Sequence, residues 1–378
     1  MKIELLNVAL VLSLFMTACS QNGQLSHHGQ RLNAERTVEL DSIMIDADTT
    51  SLRGNFVMMD SSLMFVDQHY CKIYAFSLDN GKLRTAYSGY GRGPNEMMGI
   101  LYGSVVHPAD TAMWIFDSSN GVYEFTPSNG EVRFKDKIDF SWGSSPKGDY
   151  SSPSCYNVMQ MSDFGLTLTQ IDDSTVLMPV SLMNRSFDGI EKERYSKGHI
   201  FAGINRKDLN VNTLYGTFPS CYSAKPLPFF EFFDYAVDSD NGLIYTSHAP
   251  DSLIYCHELH GNALGTLGFE PEGVNRDYTS GLEVSPEVFK NDISHVGVNT
   301  GMYYDNEDGL LFRTSMTDFP TGTVVMQVYK DNNLVLEQAM PSYFKLLGKY
   351  SGRYYGVRFI PVDDGNTSHF VLYRFTMP

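Results

Sequence analysis

The stretch NFVMMDSSLMFVDQHYCKIYAFSLDNGKLRTAYSG, Asn55 to Gly89, reads as four short strands in series. NFVMMD and SLMFVD come first, then CKIYAFSLDNG, then KLRTAYSG. Each run is rich in the β-branched and aromatic residues that suit a pleated sheet. The last two runs join at Asp79-Asn80-Gly81, residues that tolerate the positive φ a tight hairpin needs. The unit is therefore a four-stranded antiparallel meander.

The same order recurs along the chain. A second unit reads GSVVHP, TAMWIFD, NGVYEFTPSNG and EVRFKDKIDF. A fourth reads FFDYAVDSDNG, LIYTSHAP, DSLIYCHELHG and NALGTLGFE, and a fifth NTGMYYDNEDG, LLFRTSM, GTVVMQVYKDNN and LVLEQAMP. The third, Tyr156 to about Phe218, is stretched by a polar insertion around Asn184–Lys197. Helical periodicity is nearly absent, SPEVFKND at Ser285–Asp292 being the exception. A repeated four-strand meander is the mark of a β-propeller. The last unit supplies only three strands, YFKLLGKY, GRYYGVRFIP and HFVLYRFTM. ERTVELDSIMI, Glu35 to Ile45, alternates apolar and polar residues and is expected to complete that blade, closing the ring and hiding a sheet edge. The fold expected is all-β, a six-bladed propeller of four-stranded antiparallel blades, with seven blades as the alternative. At roughly 57 residues per blade, against about 40–45 in common propeller repeats, the surplus falls in loops around Asn184–Lys197 and Glu270–Asp292.

Composition limits the partners. The 378 residues carry 44 acids against 28 Lys and Arg, a net charge of −16. That surface repels a phosphate backbone, so no nucleic-acid partner is expected. Hydrophobic residues at 42% provide a sizeable core and argue against global disorder.

The N-terminus reads MKIELLNVALVLSLFMTACSQNGQ. Leu5–Met16 is apolar but too short to span a bilayer comfortably, and it suits the core of a signal peptide. MTAC, Met16 to Cys19, resembles the lipobox of bacterial lipoproteins. Residues 1–18 are then a signal segment, Cys19 carries the lipid, 19–35 is a flexible polar tether and 36–378 the propeller. The lipid anchor is the expected membrane contact. Acidic residues just after Cys19 are lacking, which points to an outer-membrane lipoprotein facing the periplasm. Cys71, Cys155, Cys221 and Cys256 remain. PSCY occurs twice, at Pro153–Tyr156 and Pro219–Tyr222, so a Cys155–Cys221 disulfide is one reading and buried free thiols the other. Cys71 and Cys256 read as mid-strand core residues. No CxxC pair occurs, so neither a structural zinc site nor any other metal or cofactor is expected.

SGYGRGPNEMMG, Ser88 to Gly99, raises a phosphate-cradle reading. A dinucleotide fingerprint needs a third glycine and a following helix, and neither is present. The stretch reads first as the turn from one blade to the next. GYGRGPNEM resembles the G-x-G-R-G-P-x-E segment of the TolB-like six-bladed β-propeller lipoproteins of Bacteroides-type bacteria. The resemblance implies a propeller and an envelope location. It implies no activity and no catalytic residues.

Propellers bind ligands at the central channel and on the face of the inter-blade loops. Candidate ligand residues there are Arg53, Tyr90, Arg92, Tyr222, His248 and Arg313, because arginine beside aromatic rings grips carboxylates, sugars or peptide ends. Phe229 and Phe230 read as packing residues. HELH, His257 to His260, places its histidines on opposite faces of a strand, so they do not share a metal. Triplets beginning at Asp41, Asp48, Asp110, Asp173 and Asp251 resemble the O-glycosylation acceptors of these bacteria. No catalytic motif is legible. The function expected is a monomeric binding or scaffolding domain for an envelope protein, a peptide or a glycan. The alternative is a hydrolase, lyase or lactonase working at the channel.

Overall fold

The computed structural model describes residues 26–32, 37–59, 61–99, 101–106, 113–141, 149–159, 168–183, 193–259, 261–281, 285–363, 365 and 367–378, side chains of 101–106 excepted. The signal segment, Cys19, Asp110, most of the insertion at 184–192, His260 and Asp364 lie outside the described residues. No helix among the described residues is long and apolar enough to cross a membrane.

Six antiparallel sheets follow one another along the chain, the blades of a six-bladed β-propeller. Blade 1 comprises β2 (Gly54–Met59), β3 (Ser62–Asp67), β4 (Lys72–Ser77) and β5 (Leu83–Tyr87). Blade 2 comprises β6 (Leu101–Val106), β7 (Met113–Asp117), β8 (Gly121–Thr126) and β9 (Glu131–Lys137). Blade 3 comprises β10 (Tyr156–Val158), β12 (Thr175–Leu182), β13 (Phe201–Asn205) and β14 (Val211–Tyr215), with β11 (Thr169–Gln170) paired to β12. Blade 4 comprises β15 (Phe233–Asp238), β16 (Leu243–His248), β17 (Ile254–Glu258) and β18 (Ala263–Leu267). Blade 5 comprises β19 (Val298–Asp305), β20 (Leu310–Met316), β21 (Val324–Lys330) and β22 (Asn333–Met340). Blade 6 comprises β23 (Phe344–Tyr350), β24 (Arg353–Asp363) and β25 (Ser368–Phe375), completed by β1 (Asp41–Asp46).

The middle strands are buried on both faces because each blade is sandwiched between its neighbours. That is why β7 and β20 are buried along their whole length rather than at alternate residues. The outermost β5 is mostly solvent-facing. Expected hairpin glycines Gly81, Gly130, Gly242, Gly309 and Gly365 take positive φ, whereas at Asn120-Gly121 it is Asn120 that does.

Closure follows the expected plan. β1 pairs with β25 from Asp41↔Arg374 to Asp46↔His369, and Arg374 bonds Asp41 at 2.6 Å. The strand starts later than the alternation implied, because Val38 is held otherwise. Its N–H donates to Gln338 Oε1 at 2.7 Å and its C=O accepts from Gln338 Nε2 at 3.0 Å. The tether expected over 19–35 needs correction at its described end. Residues 26–32 lie along the rims of blades 4 and 5, with His27 bridging Thr266 and Arg31 bridging Leu334. The outer strands β18 and β22 leave backbone groups unpaired, and the arm takes them. His28 N donates to Thr266 O at 2.7 Å and Leu32 N to Leu334 O at 3.0 Å.

Three short α-helices and one 3-10 turn (Pro153–Cys155) interrupt the β pattern among the described residues, the α-helices being α1 (Glu193–Lys197), α2 (Ser220–Ala224) and α3 (Pro286–Asp292). α3 is the helix expected from SPEVFKND, and Phe289 on it packs against Phe229 and Phe230. α1 was not anticipated. It carries Arg194, buried and bidentate on Glu231 of the loop before blade 4, with Tyr195 donating to the same carboxylate at 3.0 Å.

Candidate functional site

The glycine stretch resolves first. Met97 N donates to Gly89 O at 2.9 Å and Gly91 N to Met97 O at 3.0 Å, closing a loop whose buried Met97 plugs the core between blades 1 and 2. Inside it, Gly93 N donates to Glu96 Oε2 at 2.6 Å. A Cβ on Gly91 would collide with that carboxylate, so the glycine is what lets Glu96 fold back into the loop. The loop's own carboxylate occupies the amide a phosphate would need. Tyr90, 69% exposed, and Arg92 stand on its surface, and Arg92 Nε donates to Met98 Sδ at 3.1 Å. Arg53, also exposed, precedes β2 on the neighbouring inter-blade connection.

The other candidates are interior. Arg313 is 0% exposed, and its guanidinium is consumed by Ser252 O at 2.6 Å, Gln327 Oε1 at 3.0 Å, Tyr329 OH at 3.2 Å and Phe269 O. It ties blade 5 to the loops of blade 4 and is shut off from solvent. Tyr222 is likewise buried, its OH donating to Phe230 O at 2.6 Å. Of the two readings for Cys155 and Cys221, the structure has the free thiols and not the bridge. The two PSCY segments start separate turns. Cys155 donates to Asp149 O at 3.1 Å, and burial beside Asp251 pushes the Cys221 thiol up. Cys71 is not mid-strand but in the left-handed turn before β4, its thiol donating to Gly99 O at 2.9 Å. Among the glycosylation-like triplets, Ser42, Thr49 and Ser174 are exposed and Ser252 is half-buried.

His248 behaves differently from all of these. Blades 1, 2 and 6 end their second strand in Asp67, Asp117 and Asp363, whose carboxylates accept N–H groups of the following turn. Blade 4 places His248 at that position, and Asp251 takes over the turn, accepting Leu253 N at 3.0 Å. The imidazole is 0% exposed. Phe233 stacks on it at 5.0 Å, and Tyr222 and Tyr255 meet it edge-on at 5.7 and 5.8 Å. Neither ring nitrogen has a hydrogen-bond partner among the described residues. A buried polar group left so costs about 1–3 kcal/mol.

The strand register supplies its companion. β16 and β17 pair Thr246 with Tyr255 and Ile244 with His257, so Thr246, His248, Tyr255 and His257 share the blade face turned toward blade 3. His257 is 8% exposed, its Nε2 lies 3.4 Å from Thr246 Oγ1, and its Nδ1 has no partner among the described residues. Both imidazoles line a cavity of about 460 Å³ between blades 3 and 4. Thr217, Phe218, Pro219 and Ser220 wall it from the blade 3 side, Leu253, Ala263 and Thr266 from blade 4, and His27 of the N-terminal arm at the rim. Burial and the nearby His257 push His248 down to about 3, and burial pushes His257 down to about 4. At neutral pH both are uncharged, with one donor and one acceptor each. Sequence reading had tested His257 only against His260. The informative partner lies across the hairpin, and aligning the repeats exposes it as the histidine standing where other blades carry aspartate.

The channel holds a second feature. Asp234 on β15 and Lys345 on β23 belong to the innermost strands of two non-adjacent blades, and their charges influence one another. Burial pushes Asp234 up and Lys345 down, and each opposes the other's shift. Among the described residues, no three His, Cys, Asp or Glu side chains gather to hold a metal ion.

No family model matches the chain, and no curated protein does. Solved structures do. A member of the DUF4221 family from Bacteroides vulgatus is similar over 90% of this chain and 99% of its own, with 13% identity and a TM-score of 0.62. A protein described as exported, from Bacteroides fragilis, is similar over 93% of this chain and 99% of its own, with 12% identity and a TM-score of 0.51. At such identities the likeness shows the fold alone.

Proposed function

We propose that this chain is a non-catalytic binding protein of the bacterial cell envelope, of the TolB-like propeller lipoprotein kind. It is exported by its N-terminal segment, held to the outer membrane by lipid on Cys19, and faces the periplasm. Export is supported by the apolar run at Leu5–Met16 and by the likeness to a protein described as exported. Binding is supported above all by the cavity of about 460 Å³ whose two neutral imidazoles leave three ring nitrogens without a protein partner among the described residues. A structure keeps unsatisfied polar groups beside a cavity where an occupant completes them. The test is to purify the full-length lipidated protein from its own membranes without denaturant, heat-release what it carries, and identify it by mass spectrometry. A compound recovered at near one per chain supports the reading. Protein repeatedly recovered empty, across growth conditions, contradicts it. The same intact-mass spectrum reads the lipid on Cys19 and any sugar on Ser42, Thr49 or Ser174.

A second reading, catalysis at the channel, has Asp234 and Lys345 in its favour, an acid whose proton affinity burial raises and a base whose proton affinity burial lowers. Asp234→Asn abolishing turnover of any released compound would establish it.

A further inference from the structure

We propose that the cavity between blades 3 and 4 takes an uncharged, hydroxyl-bearing ligand of saccharide type, an inference that rests on the binding reading above. Three ring nitrogens lack a protein partner among the described residues, two on His248 and one on His257, and each is shielded from water until an occupant reaches it. A neutral imidazole presents one donor and one acceptor, and which nitrogen carries the proton is free to adapt. A hydroxyl both donates and accepts, so it satisfies either nitrogen in either tautomer.

Charged groups match poorly. A carboxylate or phosphate only accepts, and would leave the acceptor nitrogens facing its lone pairs. An ammonium only donates, and would leave the N–H groups facing its protons. Either would also enter a site whose deepest group is wholly shielded from water, with no opposite charge among the lining side chains to offset its desolvation. The walls carry the second half of the match. Phe218, Leu253 and Tyr255 present apolar surface, and Ser220 adds a hydroxyl at the blade 3 side. A molecule that alternates C–H faces with hydroxyls fits both. The volume falls within the roughly 300–1,000 Å³ of small-molecule sites.

The experiment is calorimetric titration of the full chain at pH 7.5 with neutral mono- and disaccharides, the corresponding uronic acids and the corresponding amino sugars. Two variants accompany it. His257→Gln keeps a polar group at the less buried imidazole. Ala263→Trp fills the exposed side of the cavity without touching the core. Neutral saccharides are expected to bind in preference to both charged series. His257→Gln is expected to weaken them about tenfold, the equivalent of one hydrogen bond, and Ala263→Trp to abolish binding. A uronic acid or amino sugar binding tighter than its neutral counterpart, and blocked by Ala263→Trp, overturns the ligand class and leaves the binding reading standing. Saccharide binding that survives Ala263→Trp lies elsewhere and overturns the inference. Binding by no sugar also overturns it, and the heat-release measurement then decides separately whether the cavity carries any ligand.

Discussion

Acid should unfold this protein through two histidines. Both sit in the fold with proton affinities far below the ordinary 6.5, His248 at about 3 and His257 at about 4. The rings around His248 are Phe233, Tyr222 and Tyr255, and its titrating neighbour is His257, so nothing nearby welcomes a second proton. The direction follows from linkage. Above pH 6.5 neither the folded nor the unfolded imidazole is charged, and the histidines add no pH dependence. As pH falls below 6.5 the unfolded chain binds protons that the folded chain refuses, so stability is lost until the folded values are reached. Each unit costs about 1.4 kcal/mol per histidine, so at pH 4.5 each removes roughly 2.7 kcal/mol and the pair about 5. That approaches the whole stability of an ordinary domain. The assay is urea unfolding at pH 7.5 and pH 4.5 for the wild type and for His248→Phe/His257→Gln. Phe keeps the stacking on Phe233 without a titrating group. The double variant should gain about 5 kcal/mol relative to wild type on going to pH 4.5, which cancels the carboxylate contributions common to both proteins. A difference that does not change with pH would refute the placement of these imidazoles.

Other perturbations probe the frame around the site. Arg313→Met should cost about 3–5 kcal/mol in chemical denaturation, because two carbonyls and Gln327 lose a buried cation; a loss under 1 kcal/mol would contradict its structural role. Arg92→Ala should stay within about 0.5 kcal/mol of wild type, whereas Gly91→Ala should cost about 1–2 kcal/mol by displacing Glu96 from Gly93 N–H. Thermal melts of the two variants are compared directly, and equal shifts would count against the loop as described. Deleting residues 26–32 should lower the melting temperature and expose the edges of β18 and β22, read by calorimetry and by self-association in light scattering. An unchanged monomer would show that the arm does not protect these edges.

Much of the fold was legible because its signals are local. Asn-Gly and Asp-Gly turns between apolar runs mark the hairpins, and the repeat of four such runs marks the blade. Even the closing strand could be read, since the last unit lacked its fourth run and Ile43 and Ile45 alternate at the other end. What could not be read is set by contacts between blades. Arg313 and Arg92 look alike in sequence, yet one is swallowed by carbonyls of blade 4 and the other stands in solvent. The two PSCY segments suggested a bridge, but they recur because both begin inter-blade turns. The polar stretch after Cys19 contains almost nothing apolar, and its described end docks by backbone hydrogen bonds, which no side-chain pattern reveals. The imidazole pair was missed because strand spacing within β17 was considered, while the meeting occurs across the β16–β17 hairpin.

The most direct measurement is a high-resolution crystal structure of the protein purified natively from its own membranes, read at the cavity between blades 3 and 4. Non-protein density within hydrogen-bonding distance of the His248 or His257 ring nitrogens is the result expected. A cavity closed by protein side chains, or ring nitrogens satisfied by water alone in protein that carries no compound, would contradict the assignment of a ligand site there.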